Sequence, residues 1–292
     1  MHLLIQTIVN GLLVGGLYVT ISVGFSLAFG VLDVIDFAVG EWVMLGAFVG
    51  VASQSWFGID PIAFLPVVFV SFTLLGWLVA PLIYRVRTSH YARPALMALA
   101  FTFGIATLAR GSMLTGVGFD PRTVNTGIVS GTLVVGGIQM PWLRLASFIF
   151  AVVATGLFIA FLFFTRRGLA VRATAQSKQY AGLMGVDIKR VSAFAYAIYT
   201  GLTAMAGVLI CAIYSITAQD GPRYTLLAFF VVVLAGLGSV GGVLVAGLFL
   251  GVLQAIVTVY VGADYTLAVV FGVLFGVLLV SPRGLLRRGL AP

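Results

Sequence analysis

The sequence predicts an all-α polytopic membrane protein with about eight transmembrane segments, including a discontinuous or re-entrant helix pair at 225–260. Three observations carry this. The 292 residues are 61% hydrophobic, with a mean hydropathy of +1.18. Only 8% are charged, whereas a soluble domain keeps about 25% to cover its surface. Long apolar runs alternate with short polar punctuation along the whole chain. The 36 glycines suit close helix packing in lipid, where small residues let backbones approach.

The apolar runs place spans at about 4–29, 42–56, 61–84, 95–115, 142–165, 191–214 and 264–281. The first has no basic region and no small-residue cleavage site of a secretory signal, so it reads as a retained span. The outer loop at about 116–141 alternates turn residues with β-branched ones, which predicts a small hairpin. The inner loop spans about 166–190. The stretch 225–260 is apolar throughout but is interrupted by "GLGSVGG" at 236–242. Its first part is too short to cross a bilayer, and such a break is tolerated only inside protein or beside a cavity. No linker or soluble module appears, so 1–292 reads as a single membrane domain.

Charge fixes the orientation. Twelve of the sixteen basic residues fall in three segments, at Arg85–Arg93, Arg166–Arg190 and Arg283–Arg288. The spans put these on one side, the cytoplasmic side by the positive-inside rule, together with the C-terminus. Asp60, Asp120, Asp220 and Asp264 then lie in outer loops. The net charge of +8 follows this topology and implies no nucleic-acid partner. The one cysteine, Cys211, permits no internal disulfide. Trp42, Trp56, Trp77 and Trp142 read as an interfacial belt, and Arg110 as a snorkelling residue at the outer end of its span.

Several chemistries are excluded. Neither lysine, 178 or 189, sits in a phosphate-cradling glycine loop, so the chain has no P-loop for ATP. No His/Cys/carboxylate set has metal-ligand spacing, so no metal or cofactor is expected. His2 and His90 are the two histidines, and His90 reads as solvated in a basic loop. No histidine inside a span supplies a base, so the chain does not read as an enzyme.

"FGVLDVIDFAVGEWVMLGAF" at 29–48 concentrates Asp33, Asp36 and Glu41, three of eight acidic residues. On one helix Asp33 and Asp36 lie about 60° apart, while Glu41 lies about 140° from Asp36. Gly40 permits a break that turns Glu41 separately. Three readings are open. All three residues are solvated in a turn; or Glu41 accepts hydrogen bonds that hold two helix ends; or Asp36 lies near a translocation path, with Phe37, Gly40, Gly238, Gly241 and Gly242. With the broken helix, the carboxylates also admit an ion-coupled secondary transporter.

In the inner loop, Thr174–Met184 is rich in helix formers, and Gly185 can end it with positive φ. Ala181 and Gly185 predict a flat small-residue surface, flanked by basic residues, that suits docking to a partner. A solvated connector is the alternative.

This loop resembles the R-A-x-A-Q-x-x-x-x-A-x-x-M-G segment of the LivH-type permeases of branched-chain amino acid ABC importers. The match falls at Arg172, Ala173, Ala175, Gln176, Ala181, Met184 and Gly185. Gly16–Phe48, Phe101–Gly111, Gly236–Gln254 and Ser281–Leu286 are similar to further family segments, in order along nearly the whole chain. The resemblance implies a membrane permease subunit of a binding-protein-dependent importer. The inner loop would be the coupling helix to two cytoplasmic P-loop ATPases, which hold the ATP and Mg. A second related permease, or a second copy, and a periplasmic solute-binding protein would complete it, in a bacterial or archaeal cytoplasmic membrane. The family's Asn-Phe-Ala-His-Gly reads here as Asp36-Phe37-Ala38-Val39-Gly40. That departure opens urea, short amides or small aromatic acids as cargo beside hydrophobic amino acids.

Overall fold

In the computed structural model, residues 2–89, 92–124, 126–127, 131–135, 137–236 and 238–281 are described. His90, Arg283, Arg287, Arg288 and the family-like ending past Ser281 lie outside them. The elements run α1 (His2–Leu32), α2 (Val39–Phe57), α3 (Leu65–Arg87), α4 (Pro94–Val117), β1 (Thr132–Val135), β2 (Ile138–Pro141), α5 (Trp142–Phe164), α6 (Arg166–Gln176), α7 (Lys178–Leu183), α8 (Ile188–Ile213), α9 (Gly221–Ala235), α10 (Val240–Tyr260) and α11 (Thr266–Val280). A short 3-10 turn, Ala263–Tyr265, leads into α11.

Among the described residues, seven helices are long and apolar enough to cross a membrane. They are α1, α3, α4, α5, α8, α10 and α11, the last taken with its leading turn. α2 stands outside that set, and α9, at 15 residues, is too short. The predicted break in 225–260 is real: Gly236 and Gly238 take φ of 92° and 84°, values that suit glycine. Ser239 then caps α10, its hydroxyl accepting from the Gly242 amide at 3.2 Å. The outer hairpin forms with β1 antiparallel to β2, pairing Thr132 with Pro141 and Leu133 with Met140. The inner loop departs from expectation. Ser177 breaks the expected 174–184 helix, closing α6 and capping α7 through the Tyr180 amide at 3.4 Å. Gly185 does end α7 with φ of 84°.

The core forms around α1 and α8. Of α1's most apolar 18-residue window 83% is buried, against 11% for α11. Glycine sets the tightest contact. α1 and α10 run antiparallel with Gly11 and Gly15 facing Gly251 and Leu248. A Cβ on Gly11 would sit 2.7 Å from the Val252 Cα, and one on Gly251 would overlap the backbone of Gly11 and Gly15. No side chain fits there, so the two backbones approach as small-residue interfaces in membranes do.

We expect Gly251→Leu to cost at least about 1–3 kcal/mol through forced separation of α1 and α10. Gly272→Ala on α11, where an added Cβ meets nothing within 4 Å, should be neutral. Thermal melting of the detergent-purified variants checks this; equal melting of both would refute it.

Candidate translocation and coupling sites

α1 ends at Leu32, on the side that carries Arg87 and Lys178. Asp33 follows with φ of 58°, the one described non-glycine residue in the left-handed region, which aspartate tolerates. Its exposed carboxylate is paired with Arg87 at 2.6 Å. Of the three acidic residues, Asp33 alone fits the solvated reading. Residues 33–38 carry no helix or strand. They lead to α2, whose Gly40 packs directly on Gly221 at the start of α9. α9 rises about 22 Å from there to its end. Past that end, Gly238 lies against Gly30 near the end of α1. Gly40, Glu41 and Gly221 therefore sit at membrane depth.

Irregular backbone at that depth must find partners inside the protein. Asp36, only 3% exposed, supplies one. Its Oδ1 accepts from the Ala38 amide at 2.8 Å. Its Oδ2 accepts from the hydroxyls of Tyr196 at 2.8 Å and Tyr199 at 3.1 Å, one turn apart on α8. Trp42 Nε1 donates to Tyr196 Oη at 3.2 Å. Trp42 is therefore a core residue, 3% exposed, and not part of an interfacial belt. Thr102 on α4 donates to the Ile35 carbonyl and accepts from the Phe37 amide. Thr225 on α9 donates to the Phe37 carbonyl and accepts from the Gly40 amide at 2.9 Å. Phe37 itself is exposed, edge-on to Phe103 with centroids 6.2 Å apart.

Glu41 is 1% exposed, so the solvated reading fails for it as well. Its Oε1 accepts from Arg110 Nε at 2.9 Å and from the terminal guanidinium nitrogen at 2.5 Å. Arg110 does not snorkel; it spans from α4 to α2. Glu41 Oε2 is buried with no hydrogen-bond partner. Both oxygens face Gly221, where a Cβ would overlap the carboxylate. The negative group thus rests against the first turn of α9, whose helix dipole favours it. Sequence reading missed Arg110, Tyr196, Tyr199, Thr102, Thr225 and Gly221. Arg110 carried a signal: it lies 16 residues past Pro94, about 24 Å along the helix and far from the basic face.

The remaining candidates divide. Gly238 forms the break, Gly242 at the start of α10 is in tight surroundings, and Gly241 is open. In the inner loop, Thr165 caps α6 by accepting from the Gly168 amide at 2.9 Å. Arg172 lies over the Phe163 ring at 4.5 Å, and Ala175 packs near Gly30. Ala173 precedes the Ser177 break and its carbonyl accepts from the Ser177 amide; Gln176 ends α6. Ala181 is buried, so the expected small flat surface does not form there. The exposed tip is instead Tyr180, Leu183 and Met184, beside Gly185. Lys178 donates from Nζ to the Leu32 carbonyl at 2.9 Å, capping α1. Burial pushes the Lys178 amine below its ordinary pKa, and Asp33 opposes this.

The family described as "Branched-chain amino acid transport system / permease component" matches residues 7–278. The chain belongs to this family. As a permease component it is a multi-pass, non-enzymatic membrane subunit, and the ATPase and binding-protein functions of such transporters reside on other chains. The permease is 29% identical to the high-affinity branched-chain amino acid transport permease LivH of Escherichia coli K12 over 97% of this chain and 96% of that one. It is 28% identical to BraD of Pseudomonas aeruginosa, again over 97% and 96%. It is 25% identical to a probable LivH of Methanocaldococcus jannaschii over 94% and 90%. No solved structure matches it significantly. Family membership replaces the ion-coupled reading of the carboxylates.

Two outcomes follow. Glu41→Gln and Arg110→Gln should each destabilise the permease by roughly 2 kcal/mol, less than for a fully buried pair because Arg110 is 35% exposed. The double variant should lose less than the sum of the singles. Melting of all four proteins checks this, and strict additivity would refute the pair. Tyr196→Phe and Tyr199→Phe should each cost about 1–2 kcal/mol, and neither should add its full cost on Asp36→Leu; full additivity there would show that they do not act through Asp36.

Proposed function

We propose that the permease forms half of the membrane channel of a binding-protein-dependent ABC importer for branched-chain or other hydrophobic amino acids. Its second half is a related permease or a second copy. Two cytoplasmic P-loop ATPases bind the ATP and Mg, and this chain binds no cofactor. A periplasmic protein delivers the cargo. The reading sets the chain in a bacterial or archaeal cytoplasmic membrane with its C-terminus cytoplasmic, as the bacterial and archaeal relatives suggest.

One observation carries the coupling part. The tip of α7 is apolar and exposed, at Leu183 and Met184, on the basic side of the protein. An exposed apolar cluster of this kind marks a docking surface, and here the ATPase is the partner. The same short helix holds the end of α1 through Lys178 and the Leu32 carbonyl. The segment that starts there, 33–41, ends on Glu41 at the foot of α9. Movement of the tip by an ATPase therefore has a rigid route to membrane depth. A ligand can shift the outward and inward states only by binding them unequally, and ATP on the partners supplies that difference. The exposed Phe37 and Phe103, with Arg110 beside them, are the proposed path-facing group. A half-exposed arginine at that depth belongs against water or protein rather than lipid.

Tagged permease extracted from its native membrane should carry stoichiometric P-loop ATPases. Met184→Asp with Leu183→Asp should lower their recovery at least tenfold without reducing permease abundance. Reconstituted with its partners, the assembly should take up L-leucine only with ATP. A permease that purifies alone and moves leucine without ATP would overturn the proposal.

A further inference from the structure

A cavity of about 570 Å³ opens between α1, α5, α8, α9 and α10. That is within the range of small-molecule sites. Its lining reaches from Leu3 to Tyr18 of α1, a depth of about 22 Å from the outer end of that helix. The cavity lies wholly within one chain and apart from the Phe37–Phe103 face. Two guanidinium groups line it, Arg144 and Arg223. Neither is ion-paired among the described residues, where the ion pairs use Arg87, Arg110 and Arg190. Arg144 has only a 3.5 Å contact to Asn10 Oδ1 and the Tyr214 ring at 5.9 Å. Asp220 lines the same space. Its Oδ2 accepts from the amide and hydroxyl of Thr217, at 2.7 and 2.9 Å, and its Oδ1 takes no part in those bonds. Tyr18 and Gln254 are hydrogen-bonded to each other across the cavity's inner end. Val14, Leu17 and Ile210 supply apolar wall.

Two unpaired cations, one carboxylate and an apolar wall form a matched set. We propose that this cavity is a binding site for an α-amino acid zwitterion. Its carboxylate sits on Arg144 and Arg223, its ammonium on Asp220, and its side chain against Val14, Leu17 and Ile210. This rests on the importer reading and adds to it an amino acid site set apart from the Phe37–Phe103 path. Two positive groups on one cavity suit a carboxylate. The site also has a reporter. Asp220 and Arg223 flank the first turn of α9, and the opposite side of that turn is Gly221 against Glu41. An occupant held by Asp220 and Arg223 bears on the same half-helix that Glu41 bears on from α2.

The test uses the native transporter complex in nanodiscs of phosphatidylcholine, with no binding protein added, and saturation-transfer NMR with L-leucine as probe. The leucine methyl signals should saturate, and those of isoamylamine, which lacks the carboxylate, should do so at least tenfold less. Arg144→Gln with Arg223→Gln should weaken leucine binding at least tenfold, while Arg144→Lys with Arg223→Lys stays within about threefold. Unchanged thermal melting of the glutamine-pair complex shows that its loss of binding is not misfolding. Equal leucine signals in wild type and the glutamine pair overturn the site. So does loss of the leucine signal when phosphatidylglycerol is added, which would make the cavity an anionic lipid site. ATP-driven leucine uptake measured in parallel separates the two proposals. Intact uptake with either overturning result removes the cavity site and leaves the importer reading standing.

Discussion

A carboxylate buried at membrane depth is the constraint on which this structure turns. Glu41 cannot reach water, and leaving a charge alone in such a place costs far more than a domain's margin of stability. The fold answers with two groups from different directions. Arg110 arrives from α4, and the opening turn of α9 lies beneath, with glycine at 221 because any side chain would collide with the carboxylate. Three elements distant in sequence are thereby fixed to one another. The half-length of α9 follows, because a helix that receives a carboxylate at its N-terminus must begin where that carboxylate is.

The same constraint shapes the segment before it. A chain that finishes α1 at one face and starts α2 on α9 must run without regular structure between. Its amides and carbonyls are met by Asp36, Thr102 and Thr225, one from the segment itself and one each from α4 and α9. The lower end is held as firmly, by Arg87 on Asp33 and Lys178 on Leu32. Residues 33–41 thus join the α6–α7 loop to the interior with both ends anchored. An element of this kind transmits displacement because it is held at both ends and interiors do not deform continuously.

Much of this was legible in the sequence. Apolar length gave every long span except 42–56, which is α2, the glycine run gave the break before α10, and alternation in the outer loop gave the hairpin. What escaped was pairing. Arg110 and Glu41 are 69 residues apart and each looks like an isolated anomaly in its own span. Tyr196 and Tyr199 look like ordinary aromatics of a buried helix until Asp36 is set against them. Trp42 near a span end resembles an interfacial residue because sequence does not reveal that α2 begins inside the protein. The inner loop was half read. Gly185 as a stop was evident, but Ser177 was counted inside a helix, although serine favours a cap over a helix interior. With that extra break, Ala181 turns inward and the larger side chains take the tip.

The family pattern has asparagine and histidine where this chain has Asp36 and Val39. On sequence alone that difference bears on cargo. The surroundings give it another meaning. Val39 is fully buried and Asp36 nearly so. Every group that bonds Asp36 is a donor, namely one amide and two phenol hydroxyls. A carboxylate offers two accepting oxygens to three donors, whereas an asparagine offers one and turns an NH2 toward a hydroxyl. The acid at position 36 is therefore matched to tyrosine at 196 and 199, and the isopropyl group at 39 to an apolar pocket that an imidazole would have to hydrate. These substitutions repack an interior joint. They leave the exposed Phe37 between them unchanged, so they give no ground for moving the cargo away from hydrophobic amino acids.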